Sequence, residues 1–333
     1  MTRGQHFMEA FAQLNVLIVG DVMIDRYHVG KVSRISPEAP VPVVHLQSTE
    51  NRLGGAANVA LNIHALGATP ILCSVVGDDA DGETFTNLLT QRGLGTRGIL
   101  SSKERMTTVK SRVLAQSQHL LRVDRENTED LSKTEAKRFL SQIREIIDSR
   151  DIHLILFQDY NKGVLSQHVI SELLLEAIKN DIKTAVDPKY HNFWSYKHVD
   201  LFKPNLKEVQ DCLEMPIQAT LDSLEMASTR IRQRIGNAIT LITLSERGLY
   251  VNQDGNQAIF PTQPRVIADV CGAGDTVISV AGLGLAAGLD IDTIAVLSNL
   301  AGGQVCERVG VVPVDQTILA REYQQHLGQK IHS

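Results

Sequence analysis

The 333-residue chain has no C-x-x-C pair; its four cysteines, Cys73, Cys212, Cys271 and Cys306, are scattered along it. That spacing supports neither a zinc site nor a disulfide framework and fits reduced thiols in a cytoplasmic protein. A basic excess is missing too: the formal net charge is −5, so the electrostatic footprint of a nucleic-acid binder is lacking. The N-terminus lacks the apolar core of a signal peptide, and apolar stretches elsewhere are broken by Gly, Asp or Asn before bilayer-spanning length, which argues against secretion and membrane insertion. No Gly/Ser/Pro-rich linker, shift of composition or repeat of solenoid period divides the chain.

What is present is 43% hydrophobic and 21% charged residues, enough apolar surface for a substantial core. Residues 15–20, rich in Val, Ile and Leu and ended by Gly20-Asp21, read as a buried parallel strand. Residues 1–13 resemble a leading helix or arm, with 2–6 equally readable as frayed. Segments 27–32 and 41–45 surround a Pro-containing turn and read as a small β-flap. From Gly54 the pattern alternates: helix 56–66, strand 71–76, helix 81–92. Strands 107–114 and 119–123 have no helix between them and are expected to return to the flap. Further strands at 154–157, 184–186, 201–202 and 239–243 alternate with helices at 133–149, 167–180, 206–213 and 221–236. This order predicts an α/β fold over residues 1–333, a mainly parallel sheet with helices on both faces, plus flap segments near 27–46 and 107–123.

The most informative segment is Asp269-Val270-Cys271-Gly272-Ala273-Gly274-Asp275-Thr276, followed by an Ala/Gly-rich helical stretch. Gly272, Ala273 and Gly274 permit close backbone approach, and a helix N-terminus directs N–H groups and positive dipole at an anion. Asp275 then stands in the first helical turn, where a carboxylate can take the proton of a hydroxyl attacking a phosphoryl group. For an isolated Gly-x-Gly-Asp, a mere helix cap is an equally good account of the aspartate; the other motifs tip the balance.

Here the chain resembles the ribokinase-like (PfkB) family of carbohydrate kinases, whose late signature is Asp-Thr/Val-x-Gly-Ala-Gly-Asp with the last Asp as base. The family's early signature appears as Gly54-Gly55-Ala56-Ala57-Asn58. Residues Ser33-Arg34-Ile35-Ser36-Pro37-Glu38-Ala39-Pro40-Val41-Pro42-Val43-Val44 and Gln158-Asp159-Tyr160-Asn161-Lys162-Gly163 are similar to the heptose 7-phosphate kinase branch through nearly the whole chain. That branch makes D-glycero-β-D-manno-heptose 1,7-bisphosphate for lipopolysaccharide cores.

The resemblance implies a three-layer fold, ATP and Mg²⁺ as cofactors, a phosphosugar substrate, and a homodimer paired through the flap. It implies Asp275 as base, Gly272 to Gly274 as anion cradle, and Asp25 as a ligand of sugar hydroxyls, although a lone Asp after a strand ordinarily reads as a solvated turn. Gly54, Gly55, Asn58 and Asp159 fall in the same substrate group. A sugar phosphate needs cations, for which Arg34, Lys110, Arg112, Arg122 and Lys162 are candidates, each alone more often a solvated surface charge. Asn205, Ser245, Gly248 and Asn299 are nucleotide candidates, and Glu208 a Mg²⁺ ligand through water; Asn205 reads equally as a helix cap, and Asn299 as a packing residue.

Cys271 departs from the family's usual small residue and reads as either a packed or a reactive thiol. Gln158 stands where the branch commonly has Ser. The His-x-Gly-His motif of a nucleotidyltransferase domain, carried by many relatives, does not occur, so the expectation is the kinase step alone. Three rivals stand beside it: a kinase for another sugar or phosphosugar, a non-catalytic sugar- or nucleotide-binding regulator, and a dinucleotide oxidoreductase. The last is disfavoured because no Gly-x-Gly-x-x-Gly follows residues 15–20.

Overall fold

The computed structural model describes residues 3–115 and 118–331; positions 1, 2, 116, 117, 332 and 333 of the anticipated arm, flap and domain ends lie outside it. Phe7 and Phe11 stand four residues apart, and α1 (Arg3–Ala12) buries both. The Val/Ile/Leu run becomes β1 (Asn15–Gly20). The chain then runs out along β2 (Val22–Ile35) and back along β3 (Pro42–Gly55). These two strands are far longer than the expected flap segments, because polar and charged residues such as Asp25, Arg26, Lys31 and Arg34 in β2 and the run 47–52 in β3 interrupt the period that apolar residues would reveal. Next come α2 (Ala56–Ala65), β4 (Thr69–Gly77), α3 (Ala80–Gln91) and a short β5 (Ile99–Ser102) that the sequence pattern does not suggest. β6 (Val109–Ala115) and β7 (Gln118–Arg125) return to the flap as expected.

The second half alternates regularly: α4 (Lys133–Ser149), β8 (Leu154–Gln158), α5 (Gln167–Lys179), β9 (Lys183–Asp187), β10 (Leu201–Phe202), α6 (Leu206–Leu213), α7 (Leu221–Ile235) and β11 (Ile239–Thr243). Ser132 and Ser166 start α4 and α5 by accepting the backbone N–H of Glu135 and Val169. An unanticipated hairpin follows, β12 (Leu249–Gln253) and β13 (Asn256–Phe260). Its two-residue turn is Asp254-Gly255, with φ of 53° and 85°, the pair of positive angles a tight hairpin turn demands. The chain ends through α8 (Ala273–Ala286), α9 (Ile291–Cys306) and α10 (Gln316–Ile331).

The main sheet is ordered β13-β12-β11-β10-β9-β8-β1-β4-β5, parallel from β11 to β5 and antiparallel across β12 and β13. Val16 and Ile18 of β1 face a core shared with α2, α8 and α9, while Leu17 and Val19 face a second core under α4 and α5. Burial on both faces is why β1 is apolar without alternation. The lid is a separate sheet ordered β3-β2-β6-β7. Among the described residues no helix is long and apolar enough to cross a membrane.

A buried polar side chain ties α2 to the end of the chain. Asn62 donates to the Asn58 carbonyl (2.9 Å) and accepts from the Thr276 hydroxyl and the Val314 backbone N–H (both 3.1 Å). Asn62→Leu keeps the volume but leaves the Val314 N–H unpaired inside the protein, while the Thr276 hydroxyl keeps the Gly272 carbonyl at 3.1 Å, so it is expected to lower unfolding free energy by about 1–3 kcal/mol. Urea denaturation checks this; an unchanged midpoint would refute it.

Candidate active site

In an open α/β sheet, ligands collect beyond the carboxyl ends of the strands, where neighbouring connections leave in opposite directions. Here that point lies between β1 and β8, whose ends meet as the register pair Gly20 and Gln158. A methyl group on Gly20 would stand 2.0 Å from the Gln158 carbonyl oxygen, so only glycine fits. Asp21, Gln158, Asp187 and Lys203 all follow or close strand ends here, and all are buried. α8 starts above them at Gly272, which has φ of 80°. A side chain at Gly272 would strike the Asn58 amide, whose nitrogen lies 2.8 Å from the place of its first carbon.

Asp275 lies in this first turn and is buried. Its Oδ2 accepts from Asn58 Nδ2 (2.8 Å), and its Oδ1 accepts from the Tyr160 hydroxyl (2.7 Å) and Gln158 Nε2 (3.1 Å). Burial pushes the carboxyl up to about 6, against the opposing pull of the Asn58 and Tyr160 hydrogen bonds. It is thus a carboxylate at neutral pH with more affinity for a proton than a surface aspartate. Gly272, Ala273 and Gly274 line the cleft beside it. The Ala273 N–H points back to the Val270 carbonyl at 3.3 Å, whereas Gly274 and Asp275 are first-turn positions with no intrahelical acceptor. Beneath Gly274, Lys203 Nζ and Asp187 Oδ2 form a buried ion pair at 3.1 Å.

The lid covers the other side. Asp25 pairs in register with Arg52 and Lys110, Tyr27 with Glu50 and Arg112, and Arg112 with Arg122. Side chains opposite one another share a face, so Asp25, Tyr27, Arg52, Lys110, Arg112 and Arg122 are placed together. Arg112 forms an ion pair with Asp25, and the guanidinium carbons of Arg52 and Arg112 lie 4.8 and 5.3 Å from the centre of the Tyr27 ring. Gly54 is glycine because the Asp25 carboxylate occupies the space of its side chain, and Gly55 turns into α2 with φ of 63°. Asp25 therefore stands in the lid strand rather than at the end of β1; Asp21 takes that place and accepts the backbone N–H of Tyr160, Lys162 and Val164.

Three expected phosphate ligands are exposed or already paired. Arg34 is exposed far along β2, opposite Val43. Arg122 is exposed and paired with Asp124, and Lys162 is paired with Glu126 at 2.7 Å. Asp159 also departs from its expected role: its carboxylate accepts from the Tyr196 hydroxyl (2.8 Å), Asn192 Nδ2 (3.1 Å) and the Asn161 amide (2.8 Å), inside the core beneath the loop. Strand alternation explains this, since Gln158 and Tyr160 take the cleft side and Asp159 the other.

A cleft of about 890 Å³ runs from Asp275 and Tyr160 past Asn205, Ser245, Gly248 and Asn299 to the small residues Gly302 and Gly303, within the range of small-molecule sites. Gly248 has φ of 97° and its Cα packs against the Phe260 carbonyl. Asn299 donates to the Phe260 and Pro261 carbonyls (3.2 and 2.8 Å), fixing the cleft wall. Asn205 and Glu208 form a reciprocal cap at the start of α6, each side chain accepting the other's backbone N–H at 2.8 Å. Glu208 is also paired with Lys189. Burial works against the Lys189 charge, but Asp187 and Glu208 outweigh it and its affinity for the proton is raised. Thus Glu208 is already partnered, while Asp187 Oδ1 is a buried acceptor with no hydrogen-bond partner among the described residues. An oxygen of this kind fits a water bound to Mg²⁺, which needs few protein ligands when phosphates supply the rest.

The sequence assigns no role to Arg52 or to Tyr160, although Tyr160 stands in the 158–163 motif; segments 187–189 and 203–208 fit strand ends facing the cleft, but what Asp187, Lys189 and Lys203 do there depends on which strand ends converge. Cys271 is exposed, yet partial desolvation of the thiol and then the Asp269 carboxylate push it up to about 11, away from the thiolate that a reactive cysteine needs.

Comparison with known proteins bears on the family and the fold. The curated relatives include Bifunctional protein HldE of Desulfatibacillum aliphaticivorans, 39% identical over 315 residues, and that of Helicobacter pylori (strain P12), 37% identical over 295 residues. The alignments cover 94% and 89% of this chain but 64% and 63% of those proteins, so the chain spans just under two thirds of their length. Among solved structures, phosphofructokinase-2 from Escherichia coli in complex with potassium superposes with a TM-score of 0.77 at 18% identity, covering 93% of this chain and 99% of that one. Arabidopsis thaliana ribokinase complexed with ribose and ATP gives 0.70 at 16% identity, covering 92% and 98%. The fold is ribokinase-like, as the sequence suggests. The model of the pfkB family carbohydrate kinases matches residues 13–317, and the chain belongs to that family of ATP-dependent phosphotransferases.

Proposed function

We propose that this kinase phosphorylates the anomeric C1 hydroxyl of a phosphorylated heptose, D-glycero-β-D-manno-heptose 7-phosphate, with ATP and Mg²⁺. The observation that carries this is the buried Asp275 carboxylate between a helix N-terminus on the nucleotide side and a cationic lid face on the sugar side. The motif at residues 33–44 supports the heptose.

In the reaction the C1 hydroxyl proton passes to Asp275 as its oxygen bonds to the γ-phosphorus and the bond to the bridging oxygen of ADP breaks. The first turn of α8 and the Lys203 ammonium face the charge on the transferring group. Mg²⁺, when bound, would neutralise phosphate charge, with Asp187 Oδ1 and Glu208 accepting from its waters. Asp25 receives sugar hydroxyls, and Arg112, Arg52 and Lys110 receive the distal phosphate, bidentate guanidinium being suited to it. Closure of the lid excludes water as a competing acceptor.

The lid also presents exposed Leu121 and Val123 on the face opposite Asp25, which supports pairing of two copies through it. Sedimentation velocity should give a dimer, and a monomer at micromolar concentration would remove that part.

A coupled ADP assay over a sugar panel, with the product's position read by NMR, tests the whole. Comparable kcat/KM on an unphosphorylated sugar would redirect the assignment to a general sugar kinase. Asp275→Asn should fold and bind ATP yet lose roughly 100- to 10,000-fold in kcat; near-normal turnover would remove it as base. Arg112→Met should raise KM for the phosphosugar roughly 10- to 100-fold, the loss of one charge-assisted hydrogen bond, with KM for ATP unchanged. An equal rise on the unphosphorylated sugar would argue against phosphate recognition there.

A further inference from the structure

The Asp275 carboxylate is not held symmetrically. Oδ1 accepts two hydrogen bonds, from the Tyr160 hydroxyl at 2.7 Å and Gln158 Nε2 at 3.1 Å, while Oδ2 accepts one, from Asn58 Nδ2 at 2.8 Å. Each carboxylate oxygen offers two in-plane lone pairs, so Oδ1 is saturated and Oδ2 keeps one open.

We infer that Tyr160 is a positioning residue for phosphoryl transfer: its phenol pins Oδ1 of Asp275 and so presents Oδ2 as the oxygen that takes the acceptor's proton. This rests on Asp275 being the base.

The placement of Tyr160 is built in from below. Its backbone N–H donates to Asp21 Oδ2 at 2.8 Å, and the same buried carboxylate gathers the N–H of Lys162 (3.0 Å) and Val164 (3.1 Å). Between them Asn161 has φ of 54° and Gly163 φ of 84°, left-handed turns that fold the loop over Asp21. A methyl group on Gly163 would meet the Glu129 carbonyl oxygen at 1.8 Å, so the loop has no room to shift toward that segment. On its other side the ring faces the Lys189 ammonium, 5.7 Å from the ring centre. The ring lines the cleft instead of filling a core, which separates this role from simple packing.

The charged groups facing Asp275 are Asp187 from β9 and Lys203 after β10, with Asp25 of the lid and Lys189 acting across the phenol. None of them donates a hydrogen bond to Oδ1. Burial, reinforced by the Asp275 charge, holds the phenol protonated well above its ordinary range, so Tyr160 is a donor at every working pH. Since burial raises the Asp275 carboxyl and the phenol lowers it, loss of the phenol must raise it further. A base works when deprotonated, so the activity is present above its midpoint and lost as pH falls through it; the variant loses it at higher pH.

The test is Tyr160→Phe in the full chain, with three readouts. Titration of the Asp275 carboxyl carbon by NMR, assigned through Asp275→Asn, should move upward by roughly one pH unit. The acid limb of kcat/KM should move with it. The value of kcat should fall roughly 10-fold or more even at alkaline pH, with KM for ATP within about twofold. An unshifted carboxyl titration together with kcat within about twofold of wild type would overturn the inference. The carboxyl titration needs no turnover, so it decides about Tyr160 even if no sugar is phosphorylated, an outcome that would instead strike the proposed function. Should Tyr160→Phe fail to fold, Gln158→Leu removes the other donor to Oδ1 and must shift the titration the same way.

Discussion

One buried carboxylate holds the two halves of this protein in register. Asn58, at the start of the helix that follows the lid, donates to Asp275, 217 residues later in the chain; Gln158 and Tyr160 approach from the end of a central strand. A carboxylate so little exposed is tolerated because three donors meet it. The cost is expressed as a proton affinity near pH 6, which suits a group that must accept a proton during turnover and return it afterwards. The same three donors set which oxygen is free.

Around that point each surrounding feature follows from close approach. Gly272 and Gly54 are small because Asn58 and Asp25 occupy the space their side chains would need. The sheet supplies charges in order across its strand ends: Asp21 organises the Tyr160 loop, Asp187 holds Lys203 beneath the helix start, and Lys189 meets Glu208 at the next helix. Opposite them the lid carries two guanidinium groups on one tyrosine ring. The outcome is a cleft with an anion-binding end and a sugar-facing end, and the acid between them.

Much of the architecture was legible because period and punctuation agree. Short apolar runs marked the central strands, and helical periodicity marked α4 and α5, whose starts the structure places on the serine caps Ser132 and Ser166. The misses have physical causes. In β2 and β3 polar and charged residues interrupt the apolar alternation; the Asp254-Gly255 turn is a hairpin signal readable in the sequence; and a four-residue edge strand such as β5 carries too little pattern. In the site, Asp159 was expected to meet substrate but is turned into the core, and its neighbour Tyr160, to which no role was assigned, meets Asp275 instead.

The sequence by itself determined the local chemistry: a glycine cradle joined to an acid, a second glycine pair joined to an asparagine, and an α/β succession that must bury a parallel sheet. These are properties of adjacent residues, so covalent spacing is enough to state them. Only the tertiary structure decided which charges are spent on one another and which face the cleft. It paired Glu208 with Lys189, Lys162 with Glu126 and Lys203 with Asp187, and it brought Arg52 beside Arg112. Electrostatic partnership falls steeply with distance through space, and distance through space is what a linear chain does not contain.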